Sequence, residues 1–347
     1  MSEFDLIRAF FTDIGPKRAD VALGVGDDCA LLALPEGQCL AVSIDTLSAG
    51  IHFFPDCAPE AIGHKSLAVG LSDLAAMGAA PAWSTLALTL PSADQAWVRA
   101  FSAGFAALSK THGIRLVGGD TTRGPLSVTV QVHGYVPVGA AVRRDGARPG
   151  DLVCVSGTLG DAGLALRGLL AGEAVDPALR RRLEYPTPRV ELGLRLRGLA
   201  TAMIDLSDGL AGDLGHILAA SGVGAELDLV HLPLSPPVAD VVARTGDWSL
   251  PLSSGDDYEL CFCLPAERAR EVRELGAGLD CPIRTVGRIR AKAGLACRLP
   301  DGGLYATDGS GYDHFAAGGD AARLIALRDK SRISAATQSL HSQPSAR

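Results

Sequence analysis

Aspartates recur in this chain where short apolar runs give out. A carboxylate held in such surroundings is costly unless a cation shares it. Leu116-Val-Gly-Gly-Asp-Thr-Thr-Arg-Gly124 is the plainest case. Gly118 and Gly119 carry no Cβ, so the backbone there can approach a ligand closely or take positive φ, and Asp120 then points beyond a strand end. One loop of this kind is ordinary turn chemistry. Here it is repeated: Leu23-Gly-Val-Gly-Asp-Asp28, Leu40-Ala-Val-Ser-Ile-Asp45 and Ala202-Met-Ile-Asp-Leu-Ser-Asp-Gly209 each run from apolar residues into Asp, and Asp73 lies inside Leu71-Ser-Asp-Leu74. Carboxylates are hard oxygen donors that suit Mg²⁺, which binds through a few of them together with substrate phosphates. The residues therefore predict an acidic cluster gathered from distant segments around divalent metal, with phosphate as its counter-ligand.

Other segments admit two readings each. Asp205 and Asp208 stand three apart with Ser207 between them, so both could reach one metal at a strand-to-helix junction, or both could cap the helix. Arg143, Arg144 and Arg148 could grip phosphates or form an exposed charged linker. Gly157-Thr-Leu-Gly-Asp-Ala-Gly163 follows a strand and opens a helix, which suits an anion at the helix start or simply tight packing. Ser254-Gly-Asp-Asp-Tyr-Glu-Leu260 could accept hydrogen bonds from a substrate amine or keep a loop soluble. A phosphate-binding G-x-x-x-x-G-K-[ST] loop is absent, as are C-x-x-C pairs and zinc-type histidine spacings. The eight cysteines read as reduced, mostly buried hydrophobes, and Cys29 beside Asp27-Asp28 is poorly placed to ionise.

The elements that must position these groups follow from periodicity. Helices are expected over 2–14, from Pro59 to Met77, from Asp94 to His112 with capping candidates Ser92 and Asp94, and over 161–172, 188–199, 207–221 and 266–275. Strands are expected over 39–45, 82–90, 114–118, 126–137, 151–156, 202–205, 225–229, 257–264 and 284–289. Val128, Val130 and Val132 alternate with Thr129, Gln131 and His133, which buries one face of that strand. At 347 residues two domains are the default. The turn-rich, charged stretch 141–150 divides them, giving units 1–147 and 148–316 and a tail, 317–347, expected to be disordered. Segregated runs of strand and helix favour an α+β fold with a C-terminal α/β unit. A net charge of −7 argues against nucleic acid as the main partner. With an acidic N-terminus and no apolar run near the ~20 residues a bilayer requires, a cytoplasmic protein is expected.

Taken in order, Gly24-Val-Gly-Asp-Asp-Cys-Ala30, Ser43-Ile-Asp45 with His52-Phe53, Lys65-Ser-Leu-Ala, Leu71-Ser-Asp-Leu-Ala-Ala-Met-Gly-Ala79, Gly118-Gly-Asp-Thr-Thr-Arg-Gly124, Ile204-Asp-Leu-Ser-Asp-Gly-Leu210, Gly255-Asp-Asp-Tyr-Glu-Leu260 and Gly311-Tyr-Asp-His-Phe315 resemble the thiamine-monophosphate kinase family over residues 3 to 316. The resemblance implies the aminoimidazole-ribonucleotide-synthetase-like architecture, with an N-terminal mixed-sheet domain that dimerises and a C-terminal α/β domain. It also implies phosphoryl transfer from ATP to thiamine monophosphate. Carried over by motif, Asp28, Ser43, Asp45, Asp73, Asp120, Asp205 and Asp208 would hold several Mg²⁺ ions, and whether K⁺ joins them is left open. Gly119, Asp120, Arg144 and Ser207 would contact ATP, with Asp120 and Asp208 closest to the chemistry. His52, Asp256 and Tyr312 would contact the thiamine substrate. Two positions depart from the family pattern: Asp256 stands where Glu is common, and Ile44 where Thr can assist a metal. The rival readings are a sibling enzyme that uses ATP on another acceptor and a non-catalytic nucleotide-binding protein.

Overall fold

The computed structural model describes residues 3–307 of the chain; Tyr312 and the tail from 317 lie outside the described residues. The first half runs α1 (Glu3–Phe10), β1 (Val21–Leu23), β2 (Leu31–Leu32), β3 (Gln38–Ser48), α2 (Pro59–Ala76), β4 (Ala80–Leu90), α3 (Gln95–His112), β5 (Arg115–Arg123) and β6 (Ser127–Pro137). Strands β3, β6, β4 and β5 form one sheet in that order, antiparallel except for the parallel β4–β5 pair. The second half runs β7 (Leu152–Ser156), α4 (Asp161–Ala171), α5 (Pro177–Glu184), α6 (Val190–Leu196), β8 (Ala202–Asp205), α7 (Leu210–Ser221), β9 (Gly224–Asp228), α8 (Pro236–Thr245), α9 (Ser249–Ser253), β10 (Leu260–Leu264), α10 (Ala269–Gly278), β11 (Ile283–Arg290), β12 (Gly294–Arg298) and β13 (Leu304–Tyr305). Its seven-stranded sheet has the order β13-β12-β9-β11-β7-β10-β8, with β9–β12 its parallel pair.

Helix α2 is the member that joins the halves. A surface helix carries one apolar stripe, whereas α2 is buried on nearly every side from Ala61 to Ala76. The four-stranded sheet covers one flank through β3 and β6, α3 covers another, and α6 and β8 of the second half close the third. Two glycines let α2 and α3 cross closely. A Cβ on Gly63 would sit 2.0 Å from the Phe101 carbonyl oxygen, and one on Gly104 would sit 2.0 Å from that of Glu60. Helix α3 begins where expected, with the Asp94 carboxylate accepting from the amides of Ala96 and Trp97, and ends at a left-handed Gly113.

The far face of the four-stranded sheet is covered at one end, where Val21 of β1 and Leu32 of β2 pack with Trp83 and Tyr135, and is open along β3. Strand β6 buries Val128, Val130, Val132 and Val136 beneath α2 and turns Thr129, Gln131 and His133 the other way. Beside them Leu40, Val42 and Ile44 of β3 are exposed, Ile44 to 61%.

Several boundaries differ from the sequence expectation for identifiable reasons. The apolar run that suggested a strand ending at Gly118 continues as β5 to Arg123, because pairing with β4 carries the polar segment along, with Asp120 opposite Ala87. The strand expected over 257–264 starts only at Leu260, because Gly255, Asp256 and Tyr258 all take positive φ (68°, 61° and 49°). Helix α7 begins at Leu210, with Gly209 rather than Ser207 at its N-cap. Helices α5, α8 and α9 were not anticipated from periodicity; they are short, and proline stands at the start of the first two. No described helix is long and apolar enough to cross a membrane.

Candidate active site

Three carboxylates from three elements meet where α2 passes between the sheets: Asp45 on β3, Asp73 on α2 and Asp205 at the end of β8. Alternation along β3 puts Ser43 and Asp45 on the side of α2 and Ile44 on the open face. The side chain at 44 therefore points away from the acidic group, and a threonine hydroxyl there would do the same. The Ser43 hydroxyl donates to the Asp73 carboxylate. Gly70, one turn before Asp73, leaves room: a Cβ there would stand 3.6 Å from Asp45 Oδ2. That oxygen is buried and has no hydrogen-bond partner.

The electrostatics follow from this crowding. Burial, then the charge of Asp73, pushes the Asp45 carboxyl up to about 7. Burial raises Asp73 despite the hydrogen bond from Ser43 and the charge of Arg144. Asp205, 4% exposed, is lifted well above the ordinary carboxylate range by burial and then by Asp73. A fourth acid, Asp213 on α7, did not figure among the expected site residues. It accepts hydrogen bonds from the amides of Asp208 (3.0 Å) and Gly209 (3.1 Å), and burial followed by the charge of Asp208 raises it to about 7. The sequence signal was available: Asp213 sits in the first turn of α7, where a carboxylate favours free amides.

Acids that raise one another's pKa values, with one oxygen left unpartnered, are a donor set that a multivalent cation would relieve. Among the described residues no three His, Cys, Asp or Glu side chains are gathered tightly enough to hold a metal ion on their own. A cation bound here would have to complete its shell with phosphate and water, which is the usual habit of Mg²⁺.

The remaining candidates are distributed more widely than one cluster. Asp45 pairs with Val130, Val130 with Leu86 and Leu86 with Gly119. Asp120 is thus three strand spacings from Asp45, about 14 Å at ~4.8 Å per strand, on the opposite edge of the sheet. Asp120 and Asp28 are both exposed. Asp120 lines a separate cavity of about 300 Å³ with Gly118, Gly119, Val25 and Phe11, and Val25 brings the loop bearing Asp28 to its border. Gly119 is required where it stands, since its φ is 151° and a Cβ would meet the Leu86 carbonyl oxygen at 1.9 Å. Arg144 is exposed on the linker, and its charge reaches both Asp73 and Asp213. Its neighbour Arg143 is engaged by Asp145 at 2.6 Å. The glycine-rich segment before α4 resolves toward packing: the Gly160 amide donates to both oxygens of buried Asp257 (3.0 and 3.1 Å), so the chain supplies its own acceptor there.

His52 and Asp256 come from opposite halves of the chain and line one cleft of about 480 Å³ between them. Ile51, Phe53, Phe54 and Ile62 make its walls apolar on one side, while Leu166 of α4 and Leu183 of α5 face them. The Ser48 amide donates to His52 Nδ1 at 3.0 Å. Lys65 of α2, side chain 5% exposed, places its ammonium 3.0 Å from Asp256 Oδ1 and 3.4 Å from the His52 carbonyl oxygen. The α5 wall is anchored beneath by Glu259, which is fully buried. It accepts from Arg182 (2.9 Å), from Arg189 through two nitrogens (2.6 Å each) and from the Ser156 hydroxyl (2.6 Å).

Comparison with known proteins fits this architecture. Family models described as AIR synthase related protein, N-terminal domain and C-terminal domain, match residues 26–136 and 148–299. The thiamine-monophosphate kinase of Escherichia coli (strain K12) is 49% identical over 321 residues, 90% of this chain and 98% of that protein. This chain belongs to the thiamine-monophosphate kinase family. Solved structures agree: the thiamine-monophosphate kinase of Stenotrophomonas maltophilia K279a superposes with a TM-score of 0.79 at 48% identity, covering 87% of this chain and 96% of that one. A structure described as AaThiL complexed with AMPPCP and TMP superposes at 0.72 and 31% identity, covering 82% and 89%. For a thiamine-monophosphate kinase, the two-domain α+β architecture and the long central helix are thus the shared frame of a phosphotransferase.

Proposed function

We propose that this protein transfers the γ-phosphoryl group of ATP to the phosphate of thiamine monophosphate, giving thiamine diphosphate and ADP. The observation that carries the reading is the likeness, over 82% of the chain, to a relative described in complex with an ATP analogue and TMP. The chemistry asks for little beyond neutralisation and alignment, because two anionic groups must be brought in line and the acceptor monoester, with a second pKa near 6, is already mostly dianionic at pH 7. A chain rich in carboxylates matches that demand.

In this reading Asp45, Asp73 and Asp205, with Ser43 and Asp208, would hold Mg²⁺ on one side, and Asp28 and Asp120 on the other. When bound, Mg²⁺ would offset the charge between donor and acceptor phosphates. The Gly119 backbone, Arg144 and Ser207 orient the triphosphate. Gly119 can do so because its missing Cβ leaves the backbone open, and Arg144 because it is an exposed cation beside the acidic group. His52 and Asp256 position the thiamine moiety in the interdomain cleft, and Tyr312 joins them by motif. The exposed Leu40, Val42 and Ile44 stripe on the open sheet face supports a homodimer formed through that face. A cytoplasmic setting is part of the same proposal.

Incubating the full chain with ATP, MgCl₂ and thiamine monophosphate and separating products by chromatography tests the assignment. Thiamine diphosphate appearing in proportion to ADP supports it. Nucleotide turnover only with a different phosphate acceptor would reassign the chain to a sibling activity, and no turnover with any acceptor would leave it a nucleotide-binding protein.

A further inference from the structure

Lysine is almost never fully buried unless its charge is met, and Lys65 lies on the most deeply enclosed helix of the molecule with a side chain only 5% exposed. Its ammonium is met twice, once from each half of the chain. Asp256, on the 254–259 loop of the second half, takes the charge at 3.0 Å, and the His52 carbonyl oxygen, in the first half, accepts at 3.4 Å. Asp256 is 28% exposed and lines the cleft while its Oδ1 meets the ammonium. The three residues line the same 480 Å³ space.

We propose that Lys65 is a positioning residue for the acceptor substrate. By pinning the Asp256 carboxylate and the His52 backbone from one buried ammonium, it fixes two parts of the cleft that belong to different domains at the separation the thiamine moiety requires. The inference rests on the function proposed above. It assigns Lys65 a role through Asp256 and His52 rather than through contact with the transferred phosphoryl group. It follows that the residue should govern the affinity for thiamine monophosphate and leave that for ATP alone.

The test uses the full chain and a cycle of Lys65→Met, Asp256→Asn and the double variant, with KM for thiamine monophosphate and for ATP measured separately and folding followed by thermal melting. Lys65→Met is expected to raise KM for thiamine monophosphate roughly tenfold, the equivalent of one hydrogen bond to a charged group, with KM for ATP within twofold. Lys65→Arg, which keeps a cation there, should recover part of the loss. In the Asp256→Asn background the Lys65→Met change should add little. The double variant leaves no unpaired buried charge and so keeps the comparison available if Lys65→Met alone folds poorly. Unchanged KM for thiamine monophosphate in folded Lys65→Met, both KM values rising together, or independent effects in the double variant would each overturn the proposal. If wild-type protein makes no thiamine diphosphate, the functional assignment has failed instead, and the two failures are distinguished by the wild-type control.

Discussion

Replacing Asp45 with Asn should make the ligand-free protein more stable at pH 8 while abolishing its response to Mg²⁺. The Asp45 carboxyl is held at about 7 in the fold against an ordinary 3.8, because burial and Asp73 oppose its charge. A group that keeps its proton longer in the native state contributes stability in full below 3.8, and the contribution is lost as pH climbs to about 7. At 1.36 kcal/mol per pH unit the full span is worth about 4 kcal/mol. Asp73 titrates in the same pocket, so about half of that, ~2 kcal/mol, is the expected share of Asp45 alone. At 2–4 °C per kcal/mol this is roughly 4–8 °C in Tm. The assay is calorimetry or fluorescence melting of wild type and Asp45→Asn from pH 5 to 8, in EDTA and again with saturating MgCl₂ and a non-hydrolysable ATP analogue. Wild type should lose stability steadily between pH 5 and 7 in EDTA, and Asp45→Asn should lose about 2 kcal/mol less, because Asp73, Asp205 and Asp213 remain raised in the variant. The nucleotide and metal should restore wild type at pH 8 and leave the variant where it was. A wild-type Tm independent of pH over that range, or a folded Asp45→Asn less stable than wild type at pH 8 in EDTA, would refute the claim that this carboxylate is destabilised by its neighbours.

Three further outcomes are expected. Asp120→Asn, at an exposed edge-strand position, should leave Tm unchanged while lowering kcat at physiological Mg²⁺ at least tenfold, so near wild-type turnover would remove Asp120 from the proposed site. Glu259→Gln should destabilise by about 3 kcal/mol, because Arg182 and Arg189 lose the buried charge they share; a urea titration with a midpoint close to wild type would contradict it. Ile44→Glu, exposed on the edge strand β3 of the open face, should convert a dimer to monomer by light scattering and leave the acidic group intact, since the side chain points away from it.

How far the sequence could be read depended on which interactions were local. Helices α2 and α3 were legible because their boundaries are written in proline, Asp94, Gly78 and Gly113. The valine alternation of β6 was legible because one face is buried. The carboxylates Asp45, Asp73 and Asp205 could be proposed as a group because apolar flanks made their burial expensive. What stayed hidden was set by distant partners. The continuation of β5 through Asp120 is imposed by β4. The displaced start of β10 comes from a loop whose conformation is fixed by Leu206 and Ser207, whose carbonyls take the amides of Tyr258 and Asp256. Lys65 appeared in a motif without a role, since its two acceptors lie 13 residues before it and 191 after it in the chain, and no spacing rule connects them. The separation of Asp28 and Asp120 from the inner acids required the strand order, which periodicity does not supply.

One rod carries both ends of the pocket. Lys65 and Asp73 are eight residues apart on α2, hence about 12 Å along its axis at 1.5 Å per residue. If Lys65 and the acids act as proposed, the gap between the support of the acceptor's organic part and the acids that would face the phosphates is a helical rise, not a loop length or a hinge angle. That interval stays fixed as long as the helix does. Such a gauge would sort acceptors by reach: a molecule whose phosphate hangs nearer to or farther from its ring system would meet one end of the ruler and miss the other.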